Sequence, residues 1–568
     1  MPVSKNENKK LIISSVILSV FFCLLHFNLY QQSLDMALII SGKVKYPEDF
    51  SIMKYNYLKS FSIVNYISAV LLIFTDSLLF SSRIIIFLYA FILTYGLSLI
   101  IFSFSRSFFF TITFVLIQIF FKINLGSGDY PVTFIAQQNW GAIGSAFFIF
   151  ILGLFFLKNF FYLGFFIILF LIIHPVIAVW VMLNVIFTFI CYKFFYTLEL
   201  TNHQKISFFK GVILGVFFVI LFYFLHHILT SYQFNIESVN GYDSIIMKKY
   251  FTDWDVHRSK HTIYLGLIFL LLLTNISIFF YLKLLTVPEK FFNPKKFIVL
   301  LAFILNSSAI FLFFLERFFI KESYFTSLNS LMLSRFLILT SIICVFLLIY
   351  LISQFCLYFL KNNSFLEKNI NFFSTFFVLL LILVIQPKQI ITAFKHSLLM
   401  HYSIFYSSDL TLKFIRERSR EMTLKLTKES FKDDDDFFWQ ELKKIKTTGI
   451  FITTGETVYR TLRLAYKPIL IDNNSIDLLP YHPSLAKDYK RIIEDVFGIN
   501  FFNLNNKYKR LASIPDDLIK GHFEKLTAEE WTFLKKKYSL AGIILPNQWK
   551  VNLKKTLSGA NYSMYLIE

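Results

Sequence analysis

The apolar residues of this chain fall into long blocks, and this arrangement constrains the fold more than any other feature of the sequence. Between Leu11 and Ile391 the blocks run for about 17 to 25 residues each. A helix of that length crosses a hydrocarbon core about 30 Å thick. The 568 residues are 56% hydrophobic and 16% charged, and soluble proteins average about 25% charged residues. The sequence therefore predicts a polytopic α-helical membrane protein.

We predict about eleven membrane helices. The N-terminal ten residues are polar and basic, and no small-residue cleavage site closes the first block, so we expect a retained first helix with a cytoplasmic N-terminus. The expected spans are residues 11–30, 84–103, 107–124, 141–157, 160–176, 177–197, 207–229, 263–283, 297–318, 331–357 and 371–392.

Residues 60–80 are apolar but are interrupted by Asn65 and Asp76. An Asp inside a lipid-facing helix costs about 2.5 to 3.5 kcal/mol on insertion scales, so we interpret this segment as a helix lying along the outer surface. The lysine-rich segments at 283–296 and 361–368 then fall on the cytoplasmic side, in agreement with the positive-inside rule. An odd number of spans places the C-terminus on the outer side.

The chain is expected to divide at about residue 400. Residues 1–400 form the transmembrane domain, with outer loops at 31–83, 125–140 and 230–262, and residues 401–568 form an extracytoplasmic α/β domain. We expect strands at 449–453, 468–472, 541–545 and 562–567, and helices at 456–466, 483–497 and 528–537.

The charge excess has a simple explanation in a membrane protein. The formal net charge is +20, and Lys and Arg collect in cytoplasmic loops beside anionic lipid. No basic stripe or recognition motif accompanies the charge, so nucleic acid is not an expected partner. The four cysteines lie in apolar blocks without CxxC spacing, which predicts neither a disulfide framework nor a zinc site.

Two outer carboxylates are candidates for chemistry. Asp35 follows the first span, and Asp129 lies in the Gly-rich turn Gly126–Pro131 beside Tyr130. Carboxylates on two loops at the membrane boundary can converge on one cavity, where one serves as a general base and another as a metal ligand. The alternative for each is a solvated loop residue or a helix cap.

The third outer loop contains a dense cluster of charged and aromatic residues at 253–261. Its cations suit a lipid-linked phosphate, because the planar fork of Arg binds two oxygens at once; the alternative is an anchor for lipid headgroups. The candidate ligand-binding residues here are His257, Arg258, Lys260 and His261. His174, directly before Pro175, is a further candidate, or alternatively a histidine satisfied by a neighbouring helix.

In this arrangement the chain resembles the GT-C superfamily of integral-membrane glycosyltransferases. The resemblance rests on Asp35 just after the first span, the outer helix from Asn65 to Arg83, Asp129 on the next outer loop, and the C-terminal outer domain. It implies that Asp35 is the catalytic base and that Asp129 is a supporting carboxylate that helps to hold a divalent metal ion, Mg²⁺ or Mn²⁺. We add Arg258 and Lys260 as the candidate phosphate clamp, with His257, His261, Tyr130 and His174 as further substrate-binding residues.

The resemblance implies a bacterial inner-membrane hexosyl- or pentosyltransferase for cell-envelope assembly. It would move a sugar from a polyprenyl-phosphate donor to a glycan or lipid acceptor on the extracytoplasmic face, in contact with membrane lipids. An O-antigen polymerase- or ligase-like enzyme stays open because of the His257–Arg258 cluster. A transporter or flippase predicts charged residues within spans and inverted repeats, and a catalytically inactive scaffold is the third alternative.

Overall fold

The computed structural model consists of a bundle of apolar helices and a small C-terminal domain built on a four-stranded sheet. The structure describes all residues except 1–2, 26–32, 48–50, 121–139, 196–200, 233–240, 256–264, 286–291, 321–330, 360–375, 377–379, 381–435, 455–456, 472–474, 510–513 and 515.

The membrane part begins with helix α1 (Lys5–Leu25), followed by two short helices, α2 (Ser33–Ile40) and α3 (Ile52–Lys59). The helices that follow are α4 (Ile63–Thr75), α5 (Leu78–Ser105), α6 (Phe108–Phe120), α7 (Trp140–Leu154), α8 (Phe160–Leu169), α9 (Pro175–Phe195), α10 (Asn202–Tyr232), α11 (Ser244–Lys249), α12 (Leu265–Phe280), α13 (Pro294–Ile320) and α14 (Phe336–Phe359).

Seven helical segments among the described residues are long and apolar enough to cross a membrane. They are Leu78–Ser105, Trp140–Leu157, Pro175–Phe194, Asn202–Thr230, Gly266–Leu284, Pro294–Arg317 and Leu333–Phe359. The protein is therefore a multi-pass membrane protein, but the predicted count of eleven is not confirmed. Residues 160–176 form only a shorter apolar helix, Phe160–Ile172, and the span expected at 371–392 lies almost entirely outside the described residues.

The segment 52–75 is sharply bent. The chain bends by 105° between α3 and α4. Helix α4 ends at Thr75, and its C-cap residue Asp76 has a left-handed backbone with φ of 52°. Helix α4 has 13 residues, which give about 20 Å at 1.5 Å per residue and fall short of a 30 Å core. It buries Asn65 and Ser68 and exposes Val70 and Phe74. These features favour a helix that lies along the membrane surface.

Close backbone contact joins α8 to α10 through glycine. A Cβ atom on Gly211 would overlap the carbonyl oxygen of Phe161, and one on Gly164 would overlap that of Phe208. Small residues permit such approach between membrane helices, where van der Waals packing replaces the hydrophobic effect as the driving force. Most of the other apolar side chains of α10 are exposed on the outside of the bundle.

The C-terminal domain contains the strands β1 (Ile450–Thr453), β2 (Leu540–Pro546), β3 (Lys555–Ser558) and β4 (Tyr562–Leu566), in the spatial order β1-β2-β4-β3. Strand β1 is parallel to β2, and the other two pairings are antiparallel. The helices are α15 (Asp436–Lys444), α16 (Val458–Arg463), α17 (Ala486–Asp495), α18 (Asp516–Phe523) and α19 (Ala528–Tyr538).

One expected strand of this domain was wrong, and one strand was missed. The strand expected at 468–472 reduces to a single bridge between Ile469 and Phe451. Strand β3 was not expected, because its residues are mostly exposed and lack the apolar alternation of a half-buried strand.

One hydrophobic core is shared by the two parts of the chain. It contains Leu34 and Met53 from the first loop and Trp254 from the third, together with Tyr489 and Trp531 of the C-terminal domain. The short helices α2, α3 and α11 therefore bury their apolar faces against the soluble domain. The described parts of the first and third outer loops therefore lie on the same face of the bundle as that domain.

The glycine contact gives a test of this packing. We expect Gly211→Ala to lower the free energy of unfolding by about 1–3 kcal/mol, the usual cost of overpacking. Thermal unfolding in detergent measures it. The control is Gly521→Ala, where a Cβ would meet nothing within 4 Å. Equal stability of the two variants would contradict the close contact between α8 and α10.

Candidate functional site

The predicted catalytic base, Asp35, lies in the first turn of α2 and is 1% exposed. Arg463, the last residue of α16, reaches it across 428 positions of the sequence. The guanidinium donates from Nε to Oδ1 at 2.6 Å and from Nη2 to Oδ2 at 2.9 Å. Arg463 is itself 7% exposed. The result is a buried, bidentate ion pair between the first loop and the C-terminal domain.

This pairing constrains what Asp35 does in this conformation. Each carboxylate oxygen accepts a hydrogen bond from the guanidinium, and the side chain is closed to solvent. A general base must instead lie within hydrogen-bond reach of the proton that it takes from the substrate. The observed geometry suits a residue that docks two parts of the chain, and the role of Asp35 as a base stays a prediction.

Further polar contacts surround this ion pair at the same interface. The Tyr46 hydroxyl donates to the carbonyl oxygen of Ile469 at 3.2 Å. The Asn56 amide donates to the Tyr489 hydroxyl at 2.5 Å, and both side chains are buried. Buried polar groups cost free energy unless they are hydrogen-bonded. These pairs therefore fix the first loop in one register against the C-terminal domain.

The third outer loop is attached to the same domain just before the predicted phosphate cluster. Trp254 is buried and donates from Nε1 to the carbonyl oxygen of Phe501 at 3.1 Å. Asp253 forms ion pairs with Lys249 at 2.9 Å and with Lys509 at 3.6 Å. Residues 256–264, which contain most of that cluster, lie outside the described part of the chain.

A second acid of the first loop lies near the entry to α5. Asp76 accepts a hydrogen bond from Lys43, and this bond lowers the pKa of its carboxyl group. Lys43 also lies 5.9 Å from the ring centroid of Tyr466, and Lys443 lies 4.1 Å from the same centroid. Asp76 is thus an exposed carboxylate held at the rim of the interface.

His174 lies between Ile172 and Pro175, at the junction of two apolar helices. Desolvation, with a smaller contribution from the positive charge of Arg335, lowers its pKa to about 4. A Cβ on Gly144 would lie 2.8 Å from the imidazole Cδ2, so the ring packs tightly against α7. A neutral histidine in this environment suits helix packing, and its role in substrate binding stays a prediction.

Polar contacts also join the helix ends around His174. Trp140 donates from Nε1 to Oδ1 of Asn65 at 2.8 Å, and Ser62 donates to the carbonyl oxygen of Ile173 at 3.1 Å. These bonds tie α4 to α7 and to the segment that holds His174. The buried face of α4 therefore packs against the helix ends around His174.

Six predicted site residues fall outside the described part of the chain. They are Asp129, Tyr130, His257, Arg258, Lys260 and His261. Within the described residues, no group of three or more His, Cys, Asp or Glu side chains is placed to hold a metal ion. The predicted metal ligand, Asp129, is not among those residues, so the metal site stays a prediction.

A surface cavity of about 380 Å³ lies between α11 and α17. Its lining includes the cations Lys487, Lys490 and Arg491, the acid Glu494, and the aromatic ring of Phe502. The volume lies within the range of small-molecule sites, roughly 300–1,000 Å³. Acid and base partners such as Lys490 and Glu494 pair with each other at 2.5 Å, so the charges are largely compensated.

The ion pair of Arg463 was not expected from the sequence. Arg463 is one of two arginines in a helix of six residues, a pattern that is typical of a surface position, and its partner lies 428 positions away. Alignment of many related sequences would reveal such a pair through covariation.

No family model and no curated protein matches this chain. Among solved structures it is similar to an oligosaccharyltransferase of Archaeoglobus fulgidus, crystallised with a disulfide-tethered acceptor peptide that contains the NVT sequon. The identity is 12%, the alignment covers 96% of this chain and 69% of that chain, and the TM-score is 0.40.

The ion pair predicts a charge-swap result. We expect Asp35→Arg or Arg463→Asp alone to destabilise the docked domain by about 3–5 kcal/mol, because each leaves a buried charge without its partner. The double variant restores opposite charges and should recover part of the loss. Limited proteolysis of the C-terminal domain in membranes measures docking. If the destabilisation of the double variant, measured by its cleavage rate, equals the sum of the destabilisations of the two single variants, the two residues do not interact.

His482 predicts an acid-dependent loss of stability. Desolvation, reinforced by the nearby Lys59, lowers its pKa from 6.5 to about 4. The unfolded chain therefore takes up the proton first, so this contribution is complete above pH 6.5 and is lost as the pH falls toward 4. As the pH falls between these values, we expect the free energy of unfolding of His482→Gln to drop by about 2 kcal/mol less than that of the parent. Thermal unfolding across this pH range measures the difference, and parallel curves would contradict the assignment.

Proposed function

We propose that this protein is a GT-C-type membrane glycosyltransferase that moves a sugar from a polyprenyl-phosphate donor to a glycan or lipid acceptor. The supporting observation is the shared core, which joins the acid-bearing first loop, the third loop and the C-terminal domain on one face of the helix bundle. A membrane enzyme with a lipid-linked donor and a water-soluble acceptor needs such a composite face, because its two substrates approach from different phases.

The surface helix α4 supports the same proposal. Its exposed apolar side chains, including Ile67, Val70, Ile73 and Phe74, lie on one face, whereas Asn65 and Ser68 point into the protein. A helix with these two faces lies at the boundary between headgroups and acyl chains. The donor phosphate would lie at the same depth, so a rim at this level brings protein cations to the phosphate.

The proposed chemistry needs two kinds of group. A carboxylate accepts the proton of the acceptor hydroxyl while the sugar–phosphate bond breaks, and cations stabilise the phosphate that leaves. We propose Asp35 and Asp129 for the carboxylates, and Arg258 with Lys260 for the cations. A divalent ion held by Asp129 would supply additional charge for the phosphate. His257, His261, Tyr130 and His174 are proposed as substrate contacts.

The position of the third loop supports the proposed cations. Trp254 and Asp255 are buried, and Trp254 is hydrogen-bonded to the C-terminal domain. At the other side, α12 starts at Leu265. Residues 256–264 lie outside the described part of the chain, and we propose that Arg258 and Lys260 lie near the membrane boundary.

The alternatives predict a different organisation. A polymerase- or ligase-like enzyme places functional Arg and His residues in one large outer loop and does not need a C-terminal α/β domain, whereas here described residues of two loops pack against such a domain. A transporter predicts charged residues deep inside spans. The charged residues Glu316, Arg317 and Arg335 lie instead at the ends of their spans. We further propose that the shared face is extracytoplasmic, in the inner membrane of a bacterium.

Activity measurements on membranes test this proposal. We expect Asp35→Asn and Asp129→Asn each to lower sugar transfer from polyprenyl-phosphate donors at least about a hundredfold, the usual contribution of a general base. The control is Asp517→Asn in the C-terminal domain, an exposed carboxylate that pairs with Lys507. Transfer is scored by lipid and glycan analysis of a deletion strain complemented with each variant.

The charge-swapped pair separates two roles of Asp35. If Asp35 is the catalytic base, the Asp35→Arg/Arg463→Asp variant has no sugar transfer even when the domain docks. If Asp35 only docks the domain, the same variant recovers sugar transfer. If the deletion strain has unchanged lipid-linked sugars and unchanged glycans, the protein is not a glycosyltransferase of this kind.

A further inference from the structure

A cluster of nitrogen-bearing side chains lies where the first loop, helix α10 and the C-terminal domain meet. Lys59 ends α3, His226 lies near the outer end of α10, and His482 precedes α17. The Tyr66 hydroxyl lies 2.7 Å from Nδ1 of His226. The rings of Phe61 and His226 are in edge contact with centroids 5.2 Å apart, so residue 61 joins Lys59 to the histidine.

The second half of the cluster is formed by α3 and the C-terminal domain. The rings of Tyr55 and His482 are perpendicular, with centroids 5.7 Å apart. The Lys59 ammonium lies 6.0 Å from the Tyr55 centroid. Lys59 is close enough to act electrostatically on both His226 and His482. One half-buried cation thus lies near both imidazoles.

This cluster carries no compensating negative charge in the part of the chain that the structure describes. Among those residues, no carboxylate forms an ion pair with Lys59, His226 or His482. A half-buried ammonium is expensive to desolvate unless an anion accompanies it. A neutral imidazole can donate one hydrogen bond to such an anion. The arrangement therefore suits a ligand with several anionic oxygens.

The surroundings indicate what else the ligand contains. Beyond His226, helix α10 exposes Tyr223, Phe224 and Leu225, and α4 exposes Ile67 and Val70. Both apolar surfaces belong to elements at the membrane boundary, where acyl chains cover them. An anion bound at Lys59 would therefore be continuous with a hydrocarbon tail.

We propose that Lys59, His226 and His482 hold the phosphate group of a membrane lipid, with the Tyr66 hydroxyl fixing the orientation of His226. The phosphate oxygens accept hydrogen bonds from the ammonium and from the two imidazoles. The lipid chains lie along α4 and α10. This site requires no sugar transfer, so it stands or falls separately from the proposed function.

Lipid retention by the purified full-length chain tests the proposal. The protein is placed in phosphatidylcholine nanodiscs doped with a phosphatidylglycerol or with a polyprenyl phosphate, and co-purifying lipid is quantified by mass spectrometry. We expect Lys59→Gln to lower retention of the anionic lipid about fivefold, the effect of one basic residue near a membrane surface. Lys59→Arg keeps the charge and should retain the lipid. Lys248→Gln, an exposed lysine of α11, is the matched control.

The two dopants distinguish the source of the phosphate. Enrichment of phosphatidylglycerol identifies a bulk phospholipid, and enrichment of polyprenyl phosphate alone identifies a carrier lipid. Tyr66→Phe should weaken retention less than Lys59→Gln, because it removes no charge. The proposal is overturned if neither lipid is enriched over phosphatidylcholine, or if Lys59→Gln and Lys248→Gln retain the same amount while Lys59→Arg unfolds at the parent temperature.

Discussion

The buried pairing of Asp35 with Arg463 is the interaction on which the outer half of this molecule depends. An unpaired charge at a site that is almost closed to solvent costs several kcal/mol, so neither residue is tolerated there without the other. The pair therefore joins a turn that follows the first membrane helix to a helix near the end of the chain. Because the geometry is bidentate, it fixes the orientation of α2 as well as its distance from the C-terminal domain.

The rest of the interface follows from this connection. Helices α2 and α3 have 8 residues each, too few to be stable alone in water. They gain stability by burying Leu34, Met53 and their neighbours against the soluble domain. The third loop does the same through Trp254. A site assembled from these loops is consequently shaped by the C-terminal domain, which makes the domain part of the membrane-boundary rim.

The sequence predicted the parts of the fold that depend on local pattern. Strong periodic signals mark the seven long apolar helices among the described residues, the surface helix after the first loop, and strands β1, β2 and β4. The strand expected at 468–472 was wrong because a short apolar run does not specify a partner. The sequence identified Asp35 as important by its position, but its partner depends on a tertiary contact between distant segments. Lys59, His226 and His482 illustrate the same limit, since each is unremarkable in its own segment and gains meaning only from the others.

Hydrogen–deuterium exchange on the full-length protein in nanodiscs tests the central claim most directly. The account predicts that the amides of α2 and those of α16 and β1 are protected in the parent, and that all three lose protection together in Arg463→Gln. Loss of protection in the C-terminal domain while α2 is unchanged, or the reverse, would show that the first loop and the soluble domain do not form one cooperative unit.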